Sequence, residues 1–163
     1  MFDTAVMDST NDHPRTSTDP AQRLIDSIAA GTGVPADLFA ADAVLDATVP
    51  NWRYETSGGA AISNELSKWY RDPATIDKVV RRPIPGGVAI ELDFSWEDGG
   101  VPHASHQLHL LTFNSSGNSS GNSSGDGSGD SSGDGRAIVA HTAFCGGRWS
   151  ADLLAEMEAA RVR

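Results

Sequence analysis

Three histidines recur at every third position within residues 101–111, and a fourth lies in the next apolar run. They are His103, His106, His109 and His141. Imidazole is the side chain whose ordinary pKa lies closest to neutral pH, so a neutral ring can accept a proton and a charged ring can return one. Two such rings suit proton transfer next to a carbonyl group. The chemistry therefore depends on which rings share a face.

The histidines are predicted to lie on β-strands rather than on helices. Pro102 would interrupt a helix, and the flanking apolar residues alternate with a period of two. Side chains two residues apart on a strand point to the same side, so His103 and His109 share a face and His106 points away. The three rings thus do not form a single stripe of three ligands.

The turn before this strand decides which face is the core face. A two-residue turn at Asp98-Gly99 would pair Phe94 with His103. In that register four side chains lie on the apolar side, namely His103, Ser105, Gln107 and His109. A three-residue turn would place His106 there instead, because a slip of one residue reverses the face. Spacing alone leaves both registers open.

Composition restricts the classes of function. The chain has 163 residues, a length typical of one domain, and a net charge of −10. Such acidity disfavours binding to nucleic acid or to an anionic membrane surface. The single cysteine, Cys145, excludes an internal disulfide, and no apolar run approaches the ~18 residues of a membrane span. Residues 1–18 lack the features of a signal peptide, which predicts a disordered tail and a cytoplasmic protein.

Residues 114–135 form a low-complexity segment. All 22 of them are Asn, Ser, Gly or Asp, so none can bury apolar surface. We predict a flexible loop here, inserted into one α+β domain that spans residues 19–163.

The remaining pattern predicts helices that segregate from an antiparallel sheet, which is the α+β class. A helix begins at Asp19-Pro20 and ends at Gly31, and a short helix follows between Pro35 and Phe39. A further helix covers 59–71, and Ser150 caps a closing helix with Leu153, Leu154 and Met157 inward. Strands are predicted over 43–49, 75–84, 88–96, 101–113 and 137–145, the last four forming a meander.

Other reactive or aromatic side chains give weaker indications of function than the histidines do. His103, His109, His141 and Cys145 are acceptable zinc ligands, but their spacing matches no zinc motif, so no metal is expected. Cys145 lies four residues beyond His141 on the same strand face, roughly 13 Å away, which is too far for direct activation of the thiol. The tryptophans suit either a core or a pocket wall, and Trp52 and Trp96 are predicted as lining.

Two short segments carry a resemblance to a known group of proteins. Leu108–Phe113 (LHLLTF) and Ile138–Ala143 (IVAHTA) are similar in local pattern to the SnoaL-like polyketide cyclases, and the order of elements over about residues 20–160 resembles the nuclear transport factor 2-like superfamily. The resemblance implies a curved, antiparallel or mixed sheet that forms a cone around a pocket and packs on three to four helices. It also implies a homodimer and no cofactor.

The resemblance places His109 where such cyclases have a pocket histidine. Their catalytic aspartate would fall at Ala143, and the general base of a ketosteroid isomerase at Ala47, so both acids are missing. Asp46 is adjacent to the second position. The predicted catalytic set is therefore His109 and His141, with Asp46 as an orienting acid. The predicted ligand-binding set is Trp52, Leu92, Phe94, Trp96 and Gln107.

Two functions follow from these residues. One is acid–base catalysis, without a cofactor, of isomerisation, cyclisation or dehydration of a small apolar carbonyl compound. The other is a non-catalytic module of the same fold that binds a small organic ligand or mediates dimerisation. The paired imidazoles favour the first, and the missing acids favour the second.

Overall fold

The computed structural model describes residues 18–114 and 136–161. The predicted tail at 1–18 and the predicted loop at 114–135 lie almost entirely outside the described residues. Described helices and strands follow the predicted order, with two additional strands, at 52–57 and 149–150. The helices are α1 (Pro20–Ala30), α2 (Gly59–Trp69) and α3 (Ala151–Arg161), with a 3-10 turn at Ala36–Leu38.

Local chemistry sets the bounds of α1. The Asp19 side chain accepts a hydrogen bond from the amide of Ala21, and Pro20 occupies the first turn, where its missing N–H costs nothing. Gly31 ends the helix in the left-handed conformation with φ of 63°. A Cβ there would lie 2.3 Å from the nitrogen of Pro73, so only glycine fits.

The strands form one open, mixed sheet. In chain order they are β1 (Phe39–Val49), β2 (Trp52–Ser57), β3 (Ala74–Ile84), β4 (Gly87–Asp98), β5 (Val101–Phe113), β6 (Ile138–Cys145) and the short β7 (Trp149–Ser150). Their order across the sheet is β2-β1-β6-β5-β4-β3, and β7 pairs with β5. The predicted meander of β3 to β6 is therefore present, and β1 joins it by parallel pairing with β6. These elements confirm the α+β class.

The β4–β5 hairpin has a two-residue turn, but at Gly99-Gly100 rather than at Asp98-Gly99. Both glycines have positive φ, as this tight turn requires. His103 consequently pairs with Trp96 and not with Phe94, and His109 pairs with Ile90. A shift of two residues keeps the same face, so the predicted core side of β5 is right although the predicted pairs are wrong.

Strand β2 was not predicted. It pairs with β1 across a turn at Pro50-Asn51, where Asn51 has φ of 64°. Five of its six residues are exposed, so it has no alternation of buried and exposed positions that a sequence pattern could reveal.

Helices α1 and α2 cover one face of the sheet and enclose the core. They contribute Leu24, Ile28, Ile62 and Leu66, which pack with the inward side chains of the strands, including Leu45, Ile90, Leu92 and Leu111. The opposite face carries Val44 and Phe144, which are 48% and 45% exposed.

The predicted inward face of α3 is wrong. The Ser150 hydroxyl does accept a hydrogen bond from the amide of Leu153, as expected of a cap. However, α3 has no buried residue, and Leu153 and Met157 are exposed. The helix follows β7 at the end of the sheet, beyond the core that α1 and α2 enclose.

Within the described ranges, none of the helices is long and apolar enough to cross a membrane.

Candidate functional site

The structure brings His109 and His141 together in the interior. Ala143, the partner of His109 across β5 and β6, is two residues from His141, so both rings lie on the core face. Nδ1 of His109 lies 2.9 Å from Nε2 of His141, within hydrogen-bond distance. Each residue is 1% exposed, and the ring of Phe39 stacks on His141. The predicted pairing of the two imidazoles is present, but water does not reach them.

Each ring of this pair has one nitrogen without a partner. Among the described residues, Nε2 of His109 and Nδ1 of His141 are buried and make no hydrogen bond. Because one ring donates to the other, one free nitrogen carries a hydrogen and the other carries a lone pair. Burial lowers the pKa of His109 to about 4. Burial, and then the proximity of His109, lower the pKa of His141 well below its usual value. Both rings are therefore neutral at pH 7.

Asp46 does not join the pair. Its neighbour Leu45 is the residue that pairs with His141, so Asp46 points to the opposite face of the sheet. There its carboxylate accepts two hydrogen bonds from Arg53, at 2.9 and 2.6 Å. The bond from Arg53 lowers the pKa of Asp46. The prediction that Asp46 orients a histidine is corrected by this geometry.

A cavity of about 580 Å³ lies between α2, β2, β4, β5 and the end of β6. Five aromatic side chains line it: Tyr54, Trp69, Tyr70, Phe94 and Trp96. Phe94 and Trp96 are stacked with ring centroids 5.4 Å apart, and Tyr54 meets Trp69 edge-on at 5.5 Å. Neither His109 nor His141 lines this cavity. Its walls can enclose a flat apolar molecule.

Polar groups gather at the buried end of the cavity. The hydroxyl of Tyr70 donates a 2.7 Å hydrogen bond to Oε1 of Gln107. Nε2 of Gln107 then faces Ser105 Oγ at 3.4 Å and Cys145 Sγ at 3.5 Å, both long contacts. Burial raises the pKa of Tyr70, so its hydroxyl stays protonated. We call Tyr70, Ser105, Gln107 and Cys145 the floor of the cavity.

Charged side chains stand at the solvent end of the cavity. Four of them line it: Lys68, Arg71, Asp72 and Arg148. Arg148 donates to Asp98 at the end of β4, and its guanidinium lies 5.6 Å from the ring centroid of Trp96. The bond from Arg148 lowers the pKa of Asp98. We call the four lining residues, with Asp98, the rim.

The predicted ligand-binding residues divide into two groups. Phe94, Trp96 and Gln107 line the cavity. Trp52 does not, because it begins β2 at the sheet edge and is 64% exposed, and Leu92 is fully buried in the core. Those two predictions are corrected.

Sequence reasoning missed several residues that line the cavity. They include Tyr70, Arg71 and Arg148, which carry no sequence signal because only the tertiary arrangement brings the end of α2 to the β6–β7 connection. His103 and His106 lie apart from the histidine pair. The ring of His103 packs on Trp96, and exposed His106 contacts Asp93 on the other face. Within the described residues, no three His, Cys, Asp or Glu side chains converge as a metal site.

The mixed sheet with helices on one face has the nuclear transport factor 2-like fold. A protein from Shewanella putrefaciens CN-32, provisionally described as a SnoaL-like polyketide cyclase, superimposes with a TM-score of 0.52 at 12% identity, covering 89% of this chain and 92% of that one. A protein with a ketosteroid isomerase-like fold from Catenulispora acidiphila, solved with trimethylamine, gives 0.51 at 16% identity and covers 79% and 86%.

A nuclear transport factor 2-like protein of unknown function from Burkholderia xenovorans gives a TM-score of 0.48 at 14% identity, covering 81% and 86%. No protein-family model matches the sequence, and no curated protein matches it at a significant level. At these identities the likeness concerns the fold alone.

Proposed function

We propose that the protein binds a small, largely apolar organic molecule in the aromatic cavity. The observation that carries this proposal is a space of about 580 Å³ whose walls are aromatic and whose buried end offers hydrogen-bonding groups. This is the usual composition of a small-molecule site, in which apolar walls supply affinity and a few polar groups set orientation. The wall stacks the ligand, and the floor and the rim offer it hydrogen-bonding groups at the two ends of the cavity.

Isothermal titration with 2-acetylnaphthalene, a flat neutral ketone, tests the proposal. We expect one saturable site in the native chain and binding at least about tenfold weaker in Trp96→Ala, because a stacking face of the wall is lost. Trp52→Ala is the matched control, since that ring is exposed and outside the cavity. Equal weakening in both variants would contradict the proposal, and so would a native chain that binds neither this ketone nor 2-naphthoate.

Acid–base catalysis by His109 and His141 is the second candidate. One observation favours it: both rings have a buried nitrogen that lacks a hydrogen-bond partner. A proton can pass along the pair if one nitrogen releases it as the other accepts one. The lowered pKa values and the position of the rings outside the cavity lining weigh against this role. Once a ligand is converted, His109→Gln should abolish turnover and leave its binding unchanged; unchanged turnover would exclude the role.

We also propose that the protein is a homodimer, with a second copy covering the sheet face opposite the helices. Val44 and Phe144 are exposed there, and half-buried Leu108 pairs with Phe144 on the adjacent strand. A large exposed apolar patch is typical of an interface. Sedimentation velocity should show a dimer that Phe144→Glu dissociates and Val101→Glu, on the distant hairpin tip, does not. A monomeric native chain would contradict the proposed dimer.

The cytoplasmic location remains a prediction.

A further inference from the structure

Most of the side-chain hydrogen-bond acceptors around the cavity already accept from donors of the protein. Gln107 Oε1 accepts from Tyr70, and Asp98 accepts from Arg148. The two carboxylate oxygens of Glu65, next to the rim, accept from Lys68 and from the indole of Trp69. The rim acceptor that remains is Asp72, whose nearest cation is Arg71 at 3.6 Å.

Hydrogen-bond donors without a close acceptor, in contrast, are found at both ends of the cavity. Nε2 of Gln107 makes only contacts of 3.4 and 3.5 Å at the floor. At the rim, the guanidinium of Arg71 lies 3.6 Å from both Asp72 and Asp98, beyond hydrogen-bond distance. Arg71 makes no hydrogen bond through its side chain to any described residue. Its five N–H groups therefore remain available to a molecule in the cavity.

This asymmetry specifies the chemistry of the ligand. A ligand whose polar group accepts hydrogen bonds can use the free donors of Gln107 or Arg71, whereas a donor finds only Asp72 as an unoccupied carboxylate of the lining. An apolar ring system fits the wall between them. The planar fork of a guanidinium matches a carboxylate with two parallel hydrogen bonds, which a hydroxyl or amine cannot form.

We infer that the ligand is an aromatic carboxylate, with its ring against Phe94 and Trp96 and its carboxylate on Arg71. This inference rests on the proposed function and adds to it the charge and orientation of the ligand. The carboxylate would take the place that Asp98 and Asp72 approach but do not fill. When Arg71 turns to the ligand, Asp98 keeps its bond to Arg148, and the Asp72 carboxylate, whose side chain is 33% exposed, keeps contact with solvent.

Two probes of nearly the same shape test the inference by isothermal titration. They are 2-naphthoate and 2-acetylnaphthalene, which differ in a carboxylate oxygen against a methyl group. We expect native protein to bind naphthoate more tightly than the ketone, and Arg71→Gln to weaken naphthoate about fivefold and the ketone less than about twofold. Arg71→Lys should bind naphthoate with an affinity between those of the native chain and Arg71→Gln, because lysine keeps the charge but lacks the planar fork of the guanidinium.

Arg82→Gln is the control variant, because Arg82 pairs with Glu91 on the strands and does not line the cavity. It should bind both probes as the native chain does. Raising the salt concentration should weaken naphthoate binding in the native chain and leave the ketone unchanged.

Each outcome decides between the two claims. If the ketone binds and naphthoate binds no better, or if Arg71→Gln affects both probes alike, the carboxylate inference is overturned and the small-molecule pocket stands. If neither probe binds, both claims are overturned. Selective loss of naphthoate in Arg71→Gln supports both.

Discussion

The hydroxyl of Tyr70 donates its hydrogen bond to Oε1 of Gln107, over a distance of 2.7 Å and 37 positions of sequence. Tyr70 directly follows α2, and Gln107 lies in the middle of β5, so the bond ties the end of a helix to the sheet. Because the amide oxygen faces the tyrosine, the amide nitrogen faces Ser105 and Cys145. A single buried contact thus sets which hydrogen-bonding group the floor presents.

Tyr70→Phe should lower the free energy of unfolding by about 1–2 kcal/mol, because it leaves the buried oxygen of Gln107 without a donor. Urea denaturation measures this change. Tyr54→Phe is the control, since the partly exposed Tyr54 makes no hydrogen bond through its hydroxyl to any described residue. Equal losses in the two variants would mean that the bond to Gln107 contributes nothing specific.

Stability should fall on acidification because of the histidine pair. The folded pKa of His109 is about 4 against an ordinary value of 6.5, and that of His141 is also lowered. Between those values the unfolded chain binds protons that the folded chain excludes. The free energy of unfolding is unaffected above about pH 6.5 and then decreases by up to about 1.4 kcal/mol per pH unit for each histidine.

Urea denaturation at pH 7.5 and pH 5 checks this expectation. The loss should be clear in the native chain and in His106→Gln, whose ring is exposed, and small in the double variant His109→Gln/His141→Gln. A double variant with the full native pH dependence would show that other groups cause the acid sensitivity.

Gly31→Ala should destabilise the protein by at least about 3 kcal/mol. The added Cβ would overlap the backbone at Pro73, and the alanine would have to adopt a φ of +63°, which is unfavourable for any residue with a Cβ. Gly99→Ala separates the two causes. Its φ is +60°, but nothing lies within 4 Å of the added atom, so about 1–2 kcal/mol of conformational cost is expected alone. Thermal or urea unfolding of both variants gives the comparison, and similar losses would refute a steric contribution.

Truncation of leucines should distinguish the core from α3. Leu92→Ala removes a fully buried side chain and should cost about 2–5 kcal/mol. Leu153→Ala, at a residue 41% exposed, should change the free energy of unfolding by less than about 0.5 kcal/mol. Comparable losses would place the closing helix back in the core.

Periodicity predicted the elements that the core depends on. Alternation in β4 and β5 identified both strands, but their spacing left open which face of β5 is inward, and the family resemblance favoured the face of His109. That face is the buried one, because a register error of two residues does not change which side chains point inward. The sequence pattern did not predict structure correctly where the burial of a residue does not follow the spacing of apolar residues. Exposed β2 shows no alternation, and the apolar spacing of Leu153 and Met157 predicted an inward face although both side chains are exposed.

The candidate site was less accessible to sequence reasoning. The face shared by His109 and His141 was predicted, but whether that face opens to solvent depends on what α1, α2 and Phe39 cover. The floor and rim join Arg71, which follows α2, with Arg148, which follows β6, and 76 intervening residues carry no sign of that meeting. Asp46 shows the converse error: adjacency in sequence placed it near the site, whereas strand geometry turns it away.

The parallel pairing of β1 with β6 has a consequence for how the chain reaches its native state. A nascent polypeptide that has emerged only through Asn114 can pair β1 with β2 and assemble β3 to β5, yet the strand that joins these two halves has not been made. The inward side chains of β1 therefore lack their neighbours on β6 until Cys145 has been synthesised. Completion of the sheet is thus a late, long-range event, and slow refolding is expected of this topology.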